Sequence, residues 1–318
     1  MKTIFYQQQP LKLEPQVATI GFFDGVHLGH QYLIRQVVVS AHIEGMQSMV
    51  VTFDKHPRQV LQPDEHPQLL TTLDDKLLLL SKTRVDNVVV LPFNKELAAM
   101  SAYDFMKKVL WEGLHVHRLI IGYDNRFGRD REKGFDDYVR YGKELGMEVT
   151  QSDGFAQVKG YRDGQQEINV SSTLVRSYIE EGNLEAANDC LGHPYFLTGK
   201  VVHGVKEGRK LGFPTANLDV SSSRQLIPPS GVYAVKVRIP ESKTDCLGMM
   251  NIGVRPTFGG AQQTLEVHIM QYAGNLYGEK LHVAFLHRIR GERKFASPEE
   301  LALQLNKDKR QIEDHFSI

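Results

Sequence analysis

Gly21-Phe22-Phe23-Asp24-Gly25-Val26-His27-Leu28-Gly29-His30 is the stretch that decides how this chain reads. The apolar run Val17-Ala18-Thr19-Ile20 before it has the character of a buried strand. Tyr32-Leu33-Ile34 and Val37-Val38 after it have helical spacing. Two glycines and two histidines therefore sit where a first strand turns into a first helix. Gly21 and Gly25 permit a tight turn and close approach of a ligand to the backbone. A helix starting near His27 aims free N–H groups and its positive dipole end at that turn, which suits phosphate. His27 and His30 are three apart and share a face on a helical first turn. Two imidazoles over a phosphate can donate to oxygens whose charge rises during group transfer.

Outward from this turn, strands and helices alternate. Met49–Phe53, Val88–Leu91 and Arg118–Ile121 read as further strands, and Glu148–Thr150 as a short one. Leu73–Ser81 and Phe135–Leu145 read as helices, and Ser101 followed by Asp104 as an N-cap. Strands separated by helices imply a parallel sheet with right-handed crossovers, an α/β Rossmann-like N-terminal domain. Ligands bind such sheets at the carboxyl ends of the strands. Three more stretches fall at ends of this kind: Asp54–Arg58, Gly122–Gly128 and Val170–Arg176.

Beyond residue 183 the character changes. Phe196–Thr198, Val232–Val237, Leu265–Ile269 and Leu281–Leu286 are short β-rich runs between glycine and proline turns, which suggests a small β-barrel. Ser297-Pro298-Glu299-Glu300 then opens a C-terminal helix with an N-cap, a proline at the first position and a capping-box glutamate. The predicted domains are 1–184 and 185–318.

Composition narrows the function classes. The 318 residues carry 38 Lys plus Arg against 38 Asp plus Glu, so no basic excess marks a dedicated nucleic-acid binder. Cys190 and Cys246 have no paired spacing and read as reduced thiols of a cytoplasmic chain. The first ten residues lack an apolar signal core, and no run has the length of a membrane span.

A second constellation runs from Gly204 to Leu218. Glycines at 204, 208 and 212 let the backbone wrap a ligand, and Lys206, Arg209 and Lys210 add positive charge. Thr215 and Asn217 lie two apart and face one side of an extended segment, a hydroxyl and an amide oxygen suited to Mg²⁺. Glu266 is the one carboxylate in the strand Leu265–Ile269.

These motifs carry a resemblance. The turn from Gly21 to His30 resembles the signature of the HIGH-type nucleotidyltransferases. Gly208-Arg209-Lys210-Leu211-Gly212-Phe213-Pro214-Thr215-Ala216-Asn217 is similar to a riboflavin kinase signature, joined by Asn251–Phe258 and the Glu266 strand. With Gly122–Gly128 and Ser171–Arg176, the whole chain resembles the bifunctional bacterial riboflavin kinase/FAD synthetases. The resemblance implies an N-terminal nucleotidyltransferase, a C-terminal six-stranded Greek-key barrel, and riboflavin, FMN and ATP as substrates. It implies that His27 and His30 contact ATP phosphates, with Gly21, Phe23, Asp24, Gly29, Ser172, Thr173 and Arg176 completing that ATP site. Gly204 and Lys210 would serve ATP in the barrel, Thr215 and Asn217 would hold Mg²⁺, and Glu266 would take the proton from riboflavin. His56, Asp124 and Arg293 would contact flavin. The chain departs from the family pattern at Asn125, where an aromatic is usual, and at Lys55 and Gly291, where prolines are usual.

The competing readings are a tRNA-charging or tRNA-modifying enzyme, against which the charge balance weighs, and a flavin carrier. A carrier has no use for two phosphate clamps and a base.

Overall fold

The computed structural model describes residues 1–7, 9–62, 67–123, 125–129, 133–152, 156–159, 167–204, 207–240, 244–257 and 260–316. Two compact units emerge, Met1–Ser171 and Ser172–Ile318.

In the first unit, β1 (Lys2–Phe5) leads to β2 (Gln16–Ile20), α1 (Leu28–Glu44), β3 (Gln47–Phe53), α2 (Pro57–Leu61), α3 (Leu73–Ser81) and β4 (Asn87–Leu91). α4 (Lys95–Ala99) and α5 (Ala102–Asp104) follow, and α5 runs into a π-helical turn over Phe105–Trp111. β5 (Val116–Ile121), α6 (Phe135–Leu145), β6 (Glu148–Gln151) and a hairpin of β7 (Ala156–Lys159) and β8 (Glu167–Asn169) complete it. The main sheet has the order β1-β4-β3-β2-β5-β6, all parallel.

Every residue of β2 and β4 is buried, as expected for strands covered on both faces. From β2 the chain steps to β3 and β4 on one side, then crosses to β5 and β6 on the other. The direction of winding therefore reverses between β2 and β5. At such a reversal the crossovers leave opposite faces, and a crevice opens beyond the strand ends. β1, the β7–β8 hairpin and the π-helical turn were not anticipated from the sequence. β1 is four residues at the sheet edge with both ends exposed, too short to show a burial pattern.

In the second unit, α7 (Ser172–Glu181) packs on α8 (Leu184–Leu191), which packs on the barrel. Asn188 fixes that docking: its amide donates to Phe285 O at 2.9 Å and accepts from Tyr195 N at 2.6 Å. β9 (Tyr195–Val202), α9 (Glu207–Lys210), β10 (Ala216–Asp219), β11 (Gly231–Arg238), β12 (Cys246–Thr257), β13 (Gly260–Ile269) and β14 (Lys280–Gly291) follow. The six strands close as β10-β13-β12-β11-β14-β9, all antiparallel. The seam is slight at β10, which pairs two residues with β13 and three with β9, whereas β12 and β13 pair ten.

α10 (Pro298–His315) starts as its sequence predicts: the Ser297 side chain accepts from Glu300 N, and Glu300 Oε2 accepts from Ala296 N at 2.9 Å. Its Ile312 is buried against Phe213, Val232 and Met249. On the same helix Asp308, 1% exposed, receives two hydrogen bonds from Arg290 Nε on β14 and a 2.8 Å contact from Arg290 Nη2. Truncating one partner of a buried ion pair strands the other charge, at about 3–5 kcal/mol. Asp308→Ala is accordingly expected to lower the urea-unfolding free energy of the barrel unit by about 3 kcal/mol. A loss below about 1 kcal/mol, the range of an exposed pair, would show that this contact does not hold α10.

Candidate active sites

The turn after β2 is held in an unusual conformation. Phe23 and Val26 have φ of 55° and 43°, and Gly25 has 76°. Left-handed backbone at a β-branched residue costs of order 1–3 kcal/mol and persists only where surroundings impose it. Here they do. Asp24, 3% exposed, accepts from Leu70 N, Thr71 N and Thr71 Oγ1 at 3.0–3.2 Å. Thr71 Oγ1 in turn accepts from Gly25 N, and Gln31 donates to Val26 O. The Phe23 ring lies where a Cβ on Gly21 would meet it at 3.1 Å, so the first glycine makes room for that ring. Gly29 likewise leaves space for the His27 ring. Asp24 and Phe23, expected as ATP contacts, are buried, and the carboxylate of Asp24 faces the scaffold under the turn.

The sequence places His27 on the first helical turn. It is instead the N-cap of α1, with extended backbone, and its Nδ1 accepts from His30 N. A ring nitrogen that accepts carries no proton, so in neutral His27 the proton sits on Nε2. The two rings stack at 3.6 Å. Burial first, then His27 and Lys76, hold His30 well below the ordinary histidine value. Its buried Nδ1 has no hydrogen-bond partner among the described residues, which leaves Nε2 as its nitrogen for a ligand. Around neutral pH, His30 is thus an uncharged imidazole.

Beside this turn is a cavity of about 430 Å³, lined by Phe22, Phe53, Phe93, Phe105 and Phe127 with Arg126 and others. Phe53 ends β3, and Phe22 and Phe93 each stand two residues beyond the ends of β2 and β4, after Gly21 and Pro92. The signal was present in the sequence as aromatics just past apolar runs, and it was missed because each one alone resembles core. His56 caps α2, accepting from Arg58 N, and packs edge-on against Phe22 at 4.8 Å. Asn125, where an aromatic was expected, lines the cavity, and its amide donates to Ile20 O at the end of β2. Asp124 lies outside the described residues. Sequence reading also missed Lys76 on α3, 2% exposed, whose ammonium donates to Phe22 O, Thr52 Oγ1 and Phe53 O. Ser172 and Thr173 begin α7 in the second unit, with Arg176 one turn on.

In the barrel, alternation along β13 buries Leu265, Val267 and Ile269 and leaves Glu266 and His268 half-exposed on the other face. Glu266 pairs across the sheet with Asn217 on one side and Asn251 on the other. Thr215 Oγ1 donates to Glu266 Oε2 at 3.1 Å. A Cβ on Gly204 would stand 2.1–2.6 Å from the Asn217 amide, so that glycine is required by the approach of Asn217. Lys210 ends α9 and is exposed. A cavity of about 500 Å³ is lined by Thr215, Ala216, Val267, Arg209, Tyr272 and Tyr277, among others. Ala216 and Val267 are opposite partners, as are Asn217 and Glu266, so the cavity and the carboxylate occupy opposite faces of the same strands. Thr215 belongs to both. Arg293 is 3.2 Å from Glu300 and sits over the Phe295 ring. Oxygen donors from Thr215, Asn217 and Glu266 suit a hard cation; among the described residues no three His, Cys, Asp or Glu side chains converge on a metal site.

Comparison with known proteins follows this division. Residues 9–172 match the family described as FAD synthetase, and residues 191–316 the family described as riboflavin kinase. The bifunctional riboflavin kinase/FMN adenylyltransferase of Escherichia coli is 37% identical over 302 residues, 95% of this chain and 93% of that protein. That of Listeria monocytogenes is 38% identical over 324 residues, 100% and 99%. A solved structure from Streptococcus pneumoniae, described as a macrolide-efflux protein, matches with TM-score 0.85 at 31% identity, covering 97% of each chain. Among the described residues no helix is long and apolar enough to cross a membrane.

The depressed basicity of His30 has a consequence for stability. Unfolded, the residue titrates near 6.5; folded, it takes a proton only well below that. Between the two values the unfolded chain binds more protons, so stability rises with pH across that window. The contribution is complete above about pH 6.5 and lost as pH falls through the window. Urea unfolding of the first unit is expected to weaken from pH 7 to pH 5, and His30→Gln to flatten that slope. An unchanged slope in the variant would place the protons elsewhere.

Proposed function

The chain belongs to the family of bifunctional riboflavin kinase/FMN adenylyltransferases, and from that premise we propose which residues carry each reaction. Its two activities are phosphorylation of riboflavin to FMN and adenylylation of FMN to FAD, both at the expense of ATP.

Adenylylation belongs to the turn after β2. The observation that carries this is the stacked His27–His30 pair, with His30 uncharged, at the reversal of strand order, beside an aromatic cavity. The flavin ring occupies that cavity between phenylalanines, bordered by His56, with Asp124 a further flavin contact. ATP lies over Gly21, Phe23, Asp24 and Gly29, and the family resemblance assigns Ser172, Thr173 and Arg176 to ATP as well. An FMN phosphate oxygen attacks the α-phosphorus of ATP. That bond forms as the α–β bridging bond breaks, and pyrophosphate leaves with the bonding electrons. The nucleophile is already ionised, so no base is needed. Charge develops on the phosphoryl oxygens, where the Nε2–H of His27 and the Nε2–H tautomer of neutral His30 can donate to it.

Riboflavin phosphorylation belongs to the Thr215–Asn217–Glu266 group. The ribityl hydroxyl is neutral and must lose a proton as it attacks the γ-phosphorus, which calls for a positioned base. Glu266 fills that role, and Thr215, at its carboxylate and at the cavity rim, joins base to nucleotide. Gly204 and Lys210 serve the ATP phosphates. Thr215 and Asn217 would hold Mg²⁺, which spreads charge on the triphosphate. Arg293 contacts the flavin. The functional division runs 1–184 and 185–318. α7 clusters with the barrel, yet its serine, threonine and arginine are assigned to adenylylation. Balanced charge and free cysteines fit a cytoplasmic enzyme with small-molecule substrates.

Reciprocal variants test the assignment. His30→Ala is expected to slow FAD formation by roughly a hundredfold, the worth of one oxyanion donor, with riboflavin phosphorylation unchanged. Glu266→Gln is expected to slow FMN formation by roughly a hundredfold to ten-thousandfold while FAD still forms from added FMN. Steady-state kinetics with each flavin separately read both. Parallel loss of both activities in either variant would refute the two-site assignment. A fragment of residues 185–318 is expected to phosphorylate riboflavin and form no FAD, and FAD production by it would overturn the division.

A further inference from the structure

Lys76 is the most deeply buried charged side chain near the histidine turn that the chemistry above leaves unused. It is 2% exposed, and all three of its ammonium hydrogens are engaged. Phe22 O accepts at 3.0 Å, Phe53 O at 3.0 Å and Thr52 Oγ1 at 3.1 Å. Phe22 lies two residues beyond the end of β2, and Thr52 and Phe53 are the last two residues of β3. Thr52 Oγ1 itself donates to Phe22 O, which closes the link between the two strand ends. The ammonium also stands 4.1 Å from the Phe22 ring centroid. Phe22 and Phe53 line the aromatic cavity, and Phe22 is one residue before the left-handed Phe23. One side chain therefore fixes backbone shared by the flavin cavity and the phosphate turn.

We propose that Lys76 is a positioning residue for adenylyl transfer: it pins the ends of β2 and β3 between the aromatic cavity and the histidine turn, and supplies a fixed positive charge beneath that turn. This rests on assigning adenylylation to His27 and His30. Two consequences follow for the charge. It helps keep His30 neutral, as the lowered basicity of that histidine records. It also favours arrival of a polyanionic nucleotide, because a cation in a water-poor surrounding is weakly screened. The groups facing it are Asp24 from the turn, Asp54 after β3, and His30. Burial lowers the ammonium to about 8, with Asp24 and Asp54 working in the opposite direction. The charge is thus present at neutral pH and is lost above about pH 8 in the free enzyme. Losing one proton also removes one of the three donors, so the pin loosens over the same range. A lysine serving only to fill space would not couple the geometry of the site to pH in this way.

The test compares Lys76→Met with the parent chain, full length, using kcat/KM for ATP in FMN adenylylation between pH 6.5 and 9.5. That ratio reports ionisations of the free enzyme. The parent is expected to lose activity with a break near pH 8. Lys76→Met is expected to be slower at pH 7 by roughly a hundredfold, the scale of a misplaced site, and to lack the break. Riboflavin phosphorylation by the same protein is expected to be unchanged, which separates a local effect from general unfolding. Adenylylation within threefold of the parent at pH 7, a break that persists in the variant, or equal loss of both activities would each overturn the proposal. His30→Ala is measured alongside. If that variant is silent, the assignment of the turn fails; if it is impaired while Lys76→Met is not, only the role of Lys76 fails.

Discussion

The reversal of strand order between β2 and β5 is the constraint on which the first unit depends. A parallel sheet sends every strand end to the same edge, and a change of winding direction leaves that edge uncovered at one place. The residues assigned to adenylylation in this unit that the structure describes are gathered there. The histidine turn follows β2, His56 follows β3, Phe93 follows β4, and Asn125 to Arg129 follow β5. The cost of such an opening is a set of unpaired carbonyls and a strained turn. Asp24, Lys76 and the Asn125 amide meet it by supplying hydrogen bonds where the sheet ceases to.

The legibility of these features in the sequence follows their range. Val17–Ile20, Met49–Phe53 and Val88–Leu91 are continuous apolar runs because both faces of their strands are covered, and burial of that kind writes itself directly into composition. The N-cap at Ser297 is equally local, settled within a few residues, whereas the histidine turn shows its place in the sequence but not what holds its shape. Asp24 shows the limit. Its place in a glycine-rich turn suggests a ligand contact, but its partners are 46 and 47 residues away in a segment without a motif of its own. Lys76 was invisible for a related reason. In Leu73-Asp74-Asp75-Lys76-Leu77 it has the pattern of a solvated helix face, and only the strand ends above it reveal where it goes. The aromatic cavity is a third case: three loops, the end of β3 and the π-helical turn each contribute a phenylalanine that looks like ordinary core.

The barrel shows how one antiparallel strand can serve two environments. Glu266 and Val267 are neighbours, yet one stands in the polar row with Asn217 and Asn251 while the other lines a cavity. The alternation was legible; the opposite placement of cavity and carboxylate was not, because it depends on register with β10. Thr215 lies just before that strand begins, bonded to Glu266 on one side and lining the cavity on the other. Gly204 and Gly208 mark the same crowding: at each, an added methyl group would strike an amide or a carbonyl within 2.6 Å.

The slightness of β10 has a thermodynamic meaning. A barrel must close somewhere, and this one closes through a strand of four residues with five pairings in all. The same segment follows Thr215 and contains Asn217. The pairing of Asn217 with Val202 on one side and Glu266 on the other therefore belongs both to the closure of the barrel and to the polar row assigned above to riboflavin phosphorylation. A ligand taken up at that row as proposed would bind the closed barrel and not the open one, and so would tighten the fold by mass action.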